Sequence, residues 1–480
     1  MSEVGHKPGD RGTERVFDQQ IRPTLPGAKT DTLFFVLGGI ASLWFTVLLL
    51  TSSFTWGWML LLLVPFWIVT AYLTLPRLHR IFTTIYVPDY FFGRSRTSEG
   101  MLGDPVNLAA EGTAAQIHAA MSAAGWTLAE DVTFHTSWKI VIASVFRRSY
   151  PTAPVSPLFL FGRKQDLAYQ QEVEGNPAQR HHVRFWRCPD DWLLPGGRRV
   201  GWLAAGTFDT SVGLSFFTFQ VTHRIDANID VERDHIVASL TETHPDLPVD
   251  VIEDFSTGYH HRNGGGDLIH TDGDLPVLCL NEIEAPPAND AVTPYQVVRA
   301  SRGYHITDGP HAQPDPDAAD PADTLVSGAT VERPQAIKVA LGMLICSLAA
   351  QTFALIRAIV AGHPTPVAVT GTADFIVPPQ FITPVLWGIA AGIAVLALLT
   401  VLTYVGYQAP RVLLMFALSA LLFIKLLDGT MPNPGEITIH LLITGVNLIA
   451  LLTLSSDSVR TWSRRGRPTF KDLAELMTSH

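Results

Sequence analysis

The sequence predicts a multi-pass α-helical membrane protein with an inserted cytoplasmic α+β domain built on an antiparallel sheet. Three observations predict it: six apolar stretches crowded at the two ends of the chain, a polar segment of strand-like alternation between the second and third, and Lys and Arg gathered on one side of the apolar stretches. The stretches run near Leu33–Thr51, Trp56–Leu75, Ile337–Ala361, Ile382–Tyr407, Val412–Leu427 and Ile437–Leu454, the fifth being the shortest. A helix rises about 1.5 Å per residue, so segments of this length suit a hydrocarbon core about 30 Å thick. The 480 residues thus divide into a polar tail (1–31), a two-helix transmembrane hairpin (32–76), a cytoplasmic domain (77–305), an acidic Pro- and Ala-rich linker read as disordered (306–335), a four-helix transmembrane region (336–456) and a cytoplasmic basic tail (457–480).

Short flanks decide the orientation, because cytoplasmic loops of membrane proteins carry the excess of Lys and Arg. Lys7, Arg11, Arg15, Arg22 and Lys29 precede the first stretch, Arg77 and Arg80 follow the second, Arg333 and Lys338 enter the third, Arg411 lies in the turn after the fourth, and Arg460, Arg464, Arg465, Arg467 and Lys471 follow the sixth. The alternate turns 51–55, 362–381 and 428–436 contain neither residue. Both termini and the large domain are therefore expected in the cytoplasm. The polar residues ahead of the first stretch argue against a cleavable signal peptide. A net charge of −10 opposes nucleic acid as a partner, and no basic stripe interleaved with aromatics occurs. Cys188, Cys279 and Cys346 have no metal or disulfide spacing and fit a reducing compartment.

Within the domain, Pro76–Asn107 reads as an extended junction. Its Arg77, His79, Arg80, Arg94 and Arg96 mix with Ile81, Phe82, Ile85, Tyr86, Tyr90, Phe91 and Phe92, a composition suited either to the headgroup boundary or to the domain core. Thr113 is placed to cap a helix ending at Gly125, with Trp126 beneath it, and a second helix is expected over Phe134–Phe146. From Pro157 the pattern changes to strands: Leu158–Phe161, Leu167–Val173, His181–Trp186, Gly201–Phe208 and Phe216–Asp226, separated by Gly- and Pro-containing turns as in hairpin-linked antiparallel sheets. A helix over Asp230–Leu240 and a closing strand at Leu275–Leu280 complete it.

Several runs carry a resemblance: LPRLHRIFTTIYVPDYFFGRSRTSEGMLGDPVNLA, RSYPTAPVSPLFLFGRKQDLAYQQ, RHHVRFWRC, WLAAGTFDTSVGLS and THRIDANIDVERD. In this order they resemble bacterial membrane proteins with an LssY C-terminal-type domain, over about residues 75–240. The resemblance supplies relatedness and no reaction. In some members such a domain is joined to a membrane region like that of lipid phosphate phosphatases, which implies envelope lipid metabolism. The Arg-rich and Ser-Gly-His signature of those phosphatases is missing from these apolar stretches, so that implication does not extend to their chemistry.

Polar residues at strand positions are the candidates for chemistry. A period of two puts His182, Arg184 and Trp186 on one face and His181, Val183 and Phe185 on the other; in the later strand it groups Thr222, Arg224 and Asp226 against Val221, His223 and Ile225. His181 and His223 thus fall on apolar faces and are expected to meet in the core, where Asp226, Asp230, Glu232 or Asp234 would make a metal possible; a satisfied core histidine is the plainer account. His182, Arg184 and Arg224 are suited to an anionic group such as a lipid phosphate, while cross-strand ion pairs with Asp226 or Asp209 would explain the same residues without a ligand. The expectation is that His181, His182, Arg184, His223, Asp226 and Glu232 come together, with the two strands either adjacent or separated by Gly201–Phe208.

The stretch TGYHHRNGGGD (257–267) lacks both P-loop and dinucleotide spacing and reads either as a backbone phosphate cradle or as a surface loop. In the apolar stretches Gln351 and Asn447 suit helix-to-helix hydrogen bonds, and Arg357 and Lys425 suit snorkelling. Internal repeats and broken helices of a transporter are not evident. Two function classes follow: an accessory or scaffold protein of the envelope whose domain binds an anionic headgroup or a membrane-protein partner, or a membrane-anchored hydrolase or transferase acting on a lipid phosphate, with or without a metal. No nucleophile elbow, Walker motif or zincin motif names a reaction or a cofactor.

Overall fold

The computed structural model describes residues 29–55, 57–88, 90–130, 150, 152–173, 176–190, 192–215, 217–256, 261–287, 293–301, 334–361, 379–428 and 437–464. The helix expected at Phe134–Phe146, nearly all of the linker at 306–335 and most of both tails lie outside them. In chain order the helices are α1 (Lys29–Ser53), α2 (Leu63–Val69), α3 (Leu75–Tyr86), α4 (Ala114–Ala123), α5 (Ile229–Thr243), α6 (Tyr295–Ser301), α7 (Gln335–Ala361), α8 (Pro379–Val405), α9 (Gln408–Asp428), α10 (Ile437–Leu454) and α11 (Asp457–Arg464). The strands are β1 (Arg94–Arg96), β2 (Leu102–Pro105), β3 (Leu108–Glu111), β4 (Thr127–Leu128), β5 (Phe159–Leu160), β6 (Arg163–Lys164), β7 (Leu167–Val173), β8 (Asn176–Arg187), β9 (Trp202–Leu214), β10 (Val221–Ile225), β11 (Val249–Ile252) and β12 (Leu275–Cys279). Two compact units result, one of residues 25–78 and 324–480, the other of 1–24 and 79–323.

Among the described residues six helical segments are long and apolar enough to cross a membrane by length and composition: Lys29–Ser53, Gly57–Tyr86, Gln335–Ile356, Thr383–Val405, Gln408–Leu427 and Ile437–Leu454. The second segment corrects the extended reading of Pro76 onwards, since the helix runs on to Tyr86. Proline is accommodated because the turn before it, Thr70–Thr74, widens to π-helix, which relaxes the backbone pairing that Pro76 cannot complete. Polar side chains tie the helices together. Asn447 Oδ1 accepts from Ser347 Oγ at 2.7 Å and Lys425 donates to Thr444 Oγ1 at 3.3 Å. Arg411, fully buried, pairs with the buried Asp31 and donates to Leu454 O at 2.9 Å.

In the second unit eight strands form one sheet of order β11-β12-β3-β9-β8-β7-β4, with β10 also on β9, and β2-β1-β5-β6 form a smaller sheet. The large sheet is mixed, because β12 lies parallel to β3 while its other pairs are antiparallel. One face is covered by α4, α5 and α6, which close a core around Leu108, Ile117, Tyr169, Val183, Phe185, Ile236 and Leu240. The other buries Trp186, Leu203 and Ala205 with Leu158, Leu160 and Trp192.

Local sequence accounts for the covering helices. Thr113 and Gln116 form a capping box at α4, and Asn228 caps α5, whose first turn carries Asp230 and Glu232. Gly206 is required where α5 crosses β9, since a Cβ there would lie 2.3 Å from Ile236 Cδ1. Of the apolar side chains of 81–92, Phe91 packs on Phe161, Trp192 and Phe255, whereas Phe82, Ile85, Tyr86 and Tyr90 are exposed. Arg94 and Arg96 are buried, held by Gly103 O and Pro88 O.

Candidate functional site

Strand alternation along β8 places Arg180, His182 and Arg184 in one row on the face away from α4 and α5, and β9 sets Asp209, Thr207 and Ala205 opposite them in register. From the smaller sheet β2 contributes Asp104. Arg184 Nη1 donates to Asp104 Oδ2 at 2.8 Å, Thr207 Oγ1 lies 3.5 Å from the same oxygen, and Thr207 Oγ1 shares a 2.7 Å hydrogen bond with His182 Nε2. Arg180 donates to Gln170 Oε1 at 3.1 Å and to His223 Nε2 at 3.1 Å. His223 Nε2 therefore accepts, and the neutral ring carries its proton on Nδ1.

That proton faces a ring of nitrogens around one carboxylate. Asp209 Oδ2 stands 3.4 Å from His223 Nδ1, 3.6 Å from His182 Nδ1 and 3.8 Å from Arg180 Nη2. These separations are long for hydrogen bonds, and Arg180 Nε, His182 Nδ1 and His223 Nδ1 are buried without a hydrogen-bond partner. Burial raises the Asp209 carboxyl to about 7, against the pull of Arg180 and Arg184 and with a push from Asp104 and Glu232. Burial, then the two guanidiniums, lowers His223 to about 4. His182 falls well below the usual imidazole range for the same reasons. By formal charge the row sets the two guanidiniums against the carboxyls of Asp104 and Asp209, and Asp209 lies at its titration point near neutrality, so its protonation leaves positive charge in excess. Oriented donors and a spare positive charge suit an anion, and an imidazole beside a carboxyl titrating near 7 suits proton transfer.

The opposite face of β8 carries a separate group. His181 Nδ1 donates to Glu232 Oε2 at 2.6 Å and its ring stacks on His235 at 4.1 Å, under Trp126 and Phe208. Burial raises Glu232, and burial with the neighbouring His181 lowers His235.

The expected gathering of His181, His182, Arg184, His223, Asp226 and Glu232 is therefore corrected. β9 does lie between β8 and β10, and it brings His182, Arg184 and His223 to one face, while His181 and Glu232 belong to the other. His181 and His223 do not meet, because β9 carries an extra residue where Arg224 pairs with Ser211 but Ile225 pairs with Asp209. Such a bulge reverses the alternation beyond it and turns His223 toward Asp209. Arg224 is exposed beside Gly213, and Asp226 accepts from Asn228 N at 2.9 Å, so neither joins the row. Asp230 bonds Thr271, the Asp272 amide and Arg233. The metal set His181, His223 and Asp230 is thus dispersed over three places, and among the described residues no group of His, Cys, Asp or Glu has metal-binding geometry.

Four participants escaped sequence reading. Arg180 continues the period-two row of His182 and Arg184 and was cut off only by starting the strand at His181; His235 follows Glu232 at helical spacing. Asp104 and Gln170 had no local signal. Residues 257–260 of the glycine stretch lie outside the described residues; in the described part the amides are already bonded, Gly264 N to Leu102 O, Gly265 N and Asp267 N to Asn263 Oδ1, and Gly266 N to Asn263 O, so they do not cradle a phosphate. A cavity of about 630 Å³ lined by Glu111, Arg187, Asp190, Arg199, Trp202 and Pro286 lies at the other end of β8; Arg199 is bonded to Asp190 O and Arg187 to Ser301 O there.

Residues 84–275 match the family described as LssY C-terminus, a span that contains every member of both histidine groups. The second unit carries an LssY C-terminus-type domain. No curated protein and no solved structure matches the chain. The chemistry of the LssY-type domain therefore rests on its own geometry, of which the Arg180–Asp209–His223 row is the part with unmet hydrogen-bonding capacity reaching toward the surface. His223 is one-third exposed there, against under a tenth for Asp209.

Proposed function

We propose that the protein is an integral membrane protein of the bacterial inner membrane, with both termini and the LssY-type domain in the cytoplasm, and that the domain binds an anionic group, a lipid phosphate by preference, at Arg180, His182 and His223. The observation that carries the binding reading is the pair of buried donors Arg180 Nε and His223 Nδ1, gathered without partners, together with the unpartnered His182 Nδ1, around a carboxyl that is half-protonated near pH 7. An anion entering beside His223 would supply the acceptor they lack, and protonation of Asp209 would remove the competing charge. Arg184, matched by Asp104, positions the row rather than contacting the anion, and Arg224 does not join this row.

Binding of dioctanoyl phosphatidic acid to the full-length protein in nanodiscs tests this. Arg180→Gln should weaken it by about tenfold, the worth of one charge-assisted contact, and affinity should fall as pH rises through about 7. Equal affinity in wild type and variant would remove the proposal. The membrane reading rests on six apolar helices and the one-sided Lys and Arg; reporter fusions after Pro334 and at the C-terminus should both read cytoplasm, and an external signal at either would refute the orientation. A second reading, an enzyme acting on a lipid phosphate, is favoured by one feature: His223 Nδ1 lies 3.4 Å from a carboxyl poised near 7, an arrangement able to pass a proton. Phosphate release from the bound lipid, abolished by His223→Ala with binding retained, would select it.

A further inference from the structure

Beyond Asp209 the β9–β10 hairpin carries apolar side chains outward. Val212, Leu214, Phe217, Phe219 and Val221 are each between 44% and 57% exposed. The turn that presents them is built rather than loose: Ser215 Oγ accepts from the amides of Phe217 and Thr218 and donates to Gly265 O at 2.9 Å, while Ser215 N bonds Gln220 O. Phe219 sits at φ 55°, a left-handed conformation costly for an aromatic residue and tolerated here in the tip. A soluble surface gains nothing from five exposed hydrophobes on one hairpin, so the cluster marks a contact.

What covers it follows from the neighbours of the tip. Phe217 lies against Gly266, where a Cβ would come within 2.8 Å of its ring. Gly264 N bonds Leu102 O at 2.6 Å in the β1–β2 turn, and Glu99 O of that turn accepts from Thr83 Oγ1 at 2.7 Å. Thr83 is in the last turn of the apolar helix Gly57–Tyr86. Tip, glycine loop, β1–β2 turn and helix end are thus one hydrogen-bonded path at one end of the domain, the end from which the chain enters its apolar segment. Two exposed guanidiniums border the tip: Arg224, whose Nε would meet a Cβ on Gly213 at 2.9 Å, and Arg262, which donates to Gly266 O at 2.6 Å. The nearby Asp267 carboxylate is turned inward onto Asn263 Nδ2 and Ile225 N.

We infer that the β9–β10 hairpin tip is a membrane wedge: Phe217, Phe219 and the flanking Val and Leu side chains enter the lipid surface, with Arg224 and Arg262 at the level of anionic headgroups. The inference rests on the proposed membrane reading and adds to it a lipid-inserted element in the otherwise polar domain. It also gives the row at Asp209 and His223, at the base of the same hairpin, its access to headgroup phosphates.

The test uses the full-length chain with Cys279→Ser and Cys346→Ser, reconstituted in phosphatidylethanolamine–phosphatidylglycerol vesicles and labelled with a polarity-sensitive fluorophore at Phe217→Cys or Phe219→Cys, with Val221→Cys as an independent position should a tip variant misfold. Glu242→Cys, on the exposed end of α5, and Leu398→Cys, within α8, serve as references. Labels at the hairpin should lose about half of their emission to spin-labelled lipid and resist aqueous iodide, as expected for side chains in the headgroup–acyl boundary, while the label at 242 does the reverse. Iodide quenching at 217, 219 and 221 together with lipid quenching at 398 would overturn the wedge and leave the membrane reading standing. Absence of lipid quenching at 398 would end both. Hairpin labels shielded from iodide and from lipid alike would mean that a protein surface, a second copy or another partner, covers the tip, and the wedge would again be wrong.

Discussion

The two faces of β8 make an instructive contrast. On the helix-covered face, His181 finds its carboxylate within 2.6 Å, an aromatic neighbour on either side and a second imidazole stacked on it. One residue along, His182 and its neighbours Arg180 and Arg184 meet charged groups from two other strands, and His182 Nδ1 and Arg180 Nη2 stop 3.6 and 3.8 Å from the nearest carboxylate oxygen. On the helix-covered face Glu232 Oε1, an acceptor rather than a donor, is the atom of the group left buried without a partner, and this first arrangement behaves as core. The second is buried just as deeply yet leaves donors unused, which is costly unless something else fills them. Alternation along a single strand therefore separates a structural histidine from a site histidine, although both imidazoles lie in the same dipeptide.

The sharpest way to break the contrast is at Arg184. For an exposed ion pair Arg184→Ala would cost about 0–1 kcal/mol. Its partner Asp104 is buried, so removal strands a buried carboxylate and should cost about 3–5 kcal/mol, read as a lowered midpoint of denaturation of the LssY-type domain. A loss within experimental error would mean that Asp104 finds another partner and that the row is more plastic than its burial implies.

Asp209→Asn should act in the opposite direction and with pH. A carboxyl raised to about 7 in the folded chain binds more protons than the unfolded chain between its ordinary value and 7, so its contribution to stability is present at low pH and lost as pH rises through 7. His223, lowered to about 4, has the reverse sign: its contribution is present above the ordinary imidazole value and lost as pH falls toward 4. Replacing Asp209 by the neutral amide should thus stabilise more at pH 8 than at pH 5, by about 2–3 kcal/mol. Unfolding curves at the two pH values check it; a variant equally affected at both would show that Asp209 is not the group that titrates.

The smallest effect is expected on the helix-covered face. Glu232→Gln keeps an acceptor for His181 Nδ1 and removes a buried charge, and it should change stability by no more than about 1 kcal/mol and leave anion binding unaltered. Loss of binding in this variant would erase the distinction between the faces.

Much of this was legible in the linear chain. Apolar length alone located all six long helices, because twenty or so consecutive hydrophobes have few other uses. Period-two alternation assigned β7 to its observed residues and sorted the β8 side chains correctly, since the polymer geometry of a strand needs no knowledge of neighbours. Thr113 announced the start of α4 for the same local reason. What tertiary structure decided was who faces whom. A one-residue bulge in β9 reverses the outlook of His223, and no composition signal marks a bulge. Asp104 reaches Arg184 across 80 positions, and Arg411 finds Asp31 across 380. Pairings at such separations depend on chain closure and packing rather than on local preference. The sequence by itself determined the apolar helices and the two faces of β8; the fold decided the face of His223, which charges are matched and which are left wanting a ligand, because burial and partnership are properties of the assembled chain alone.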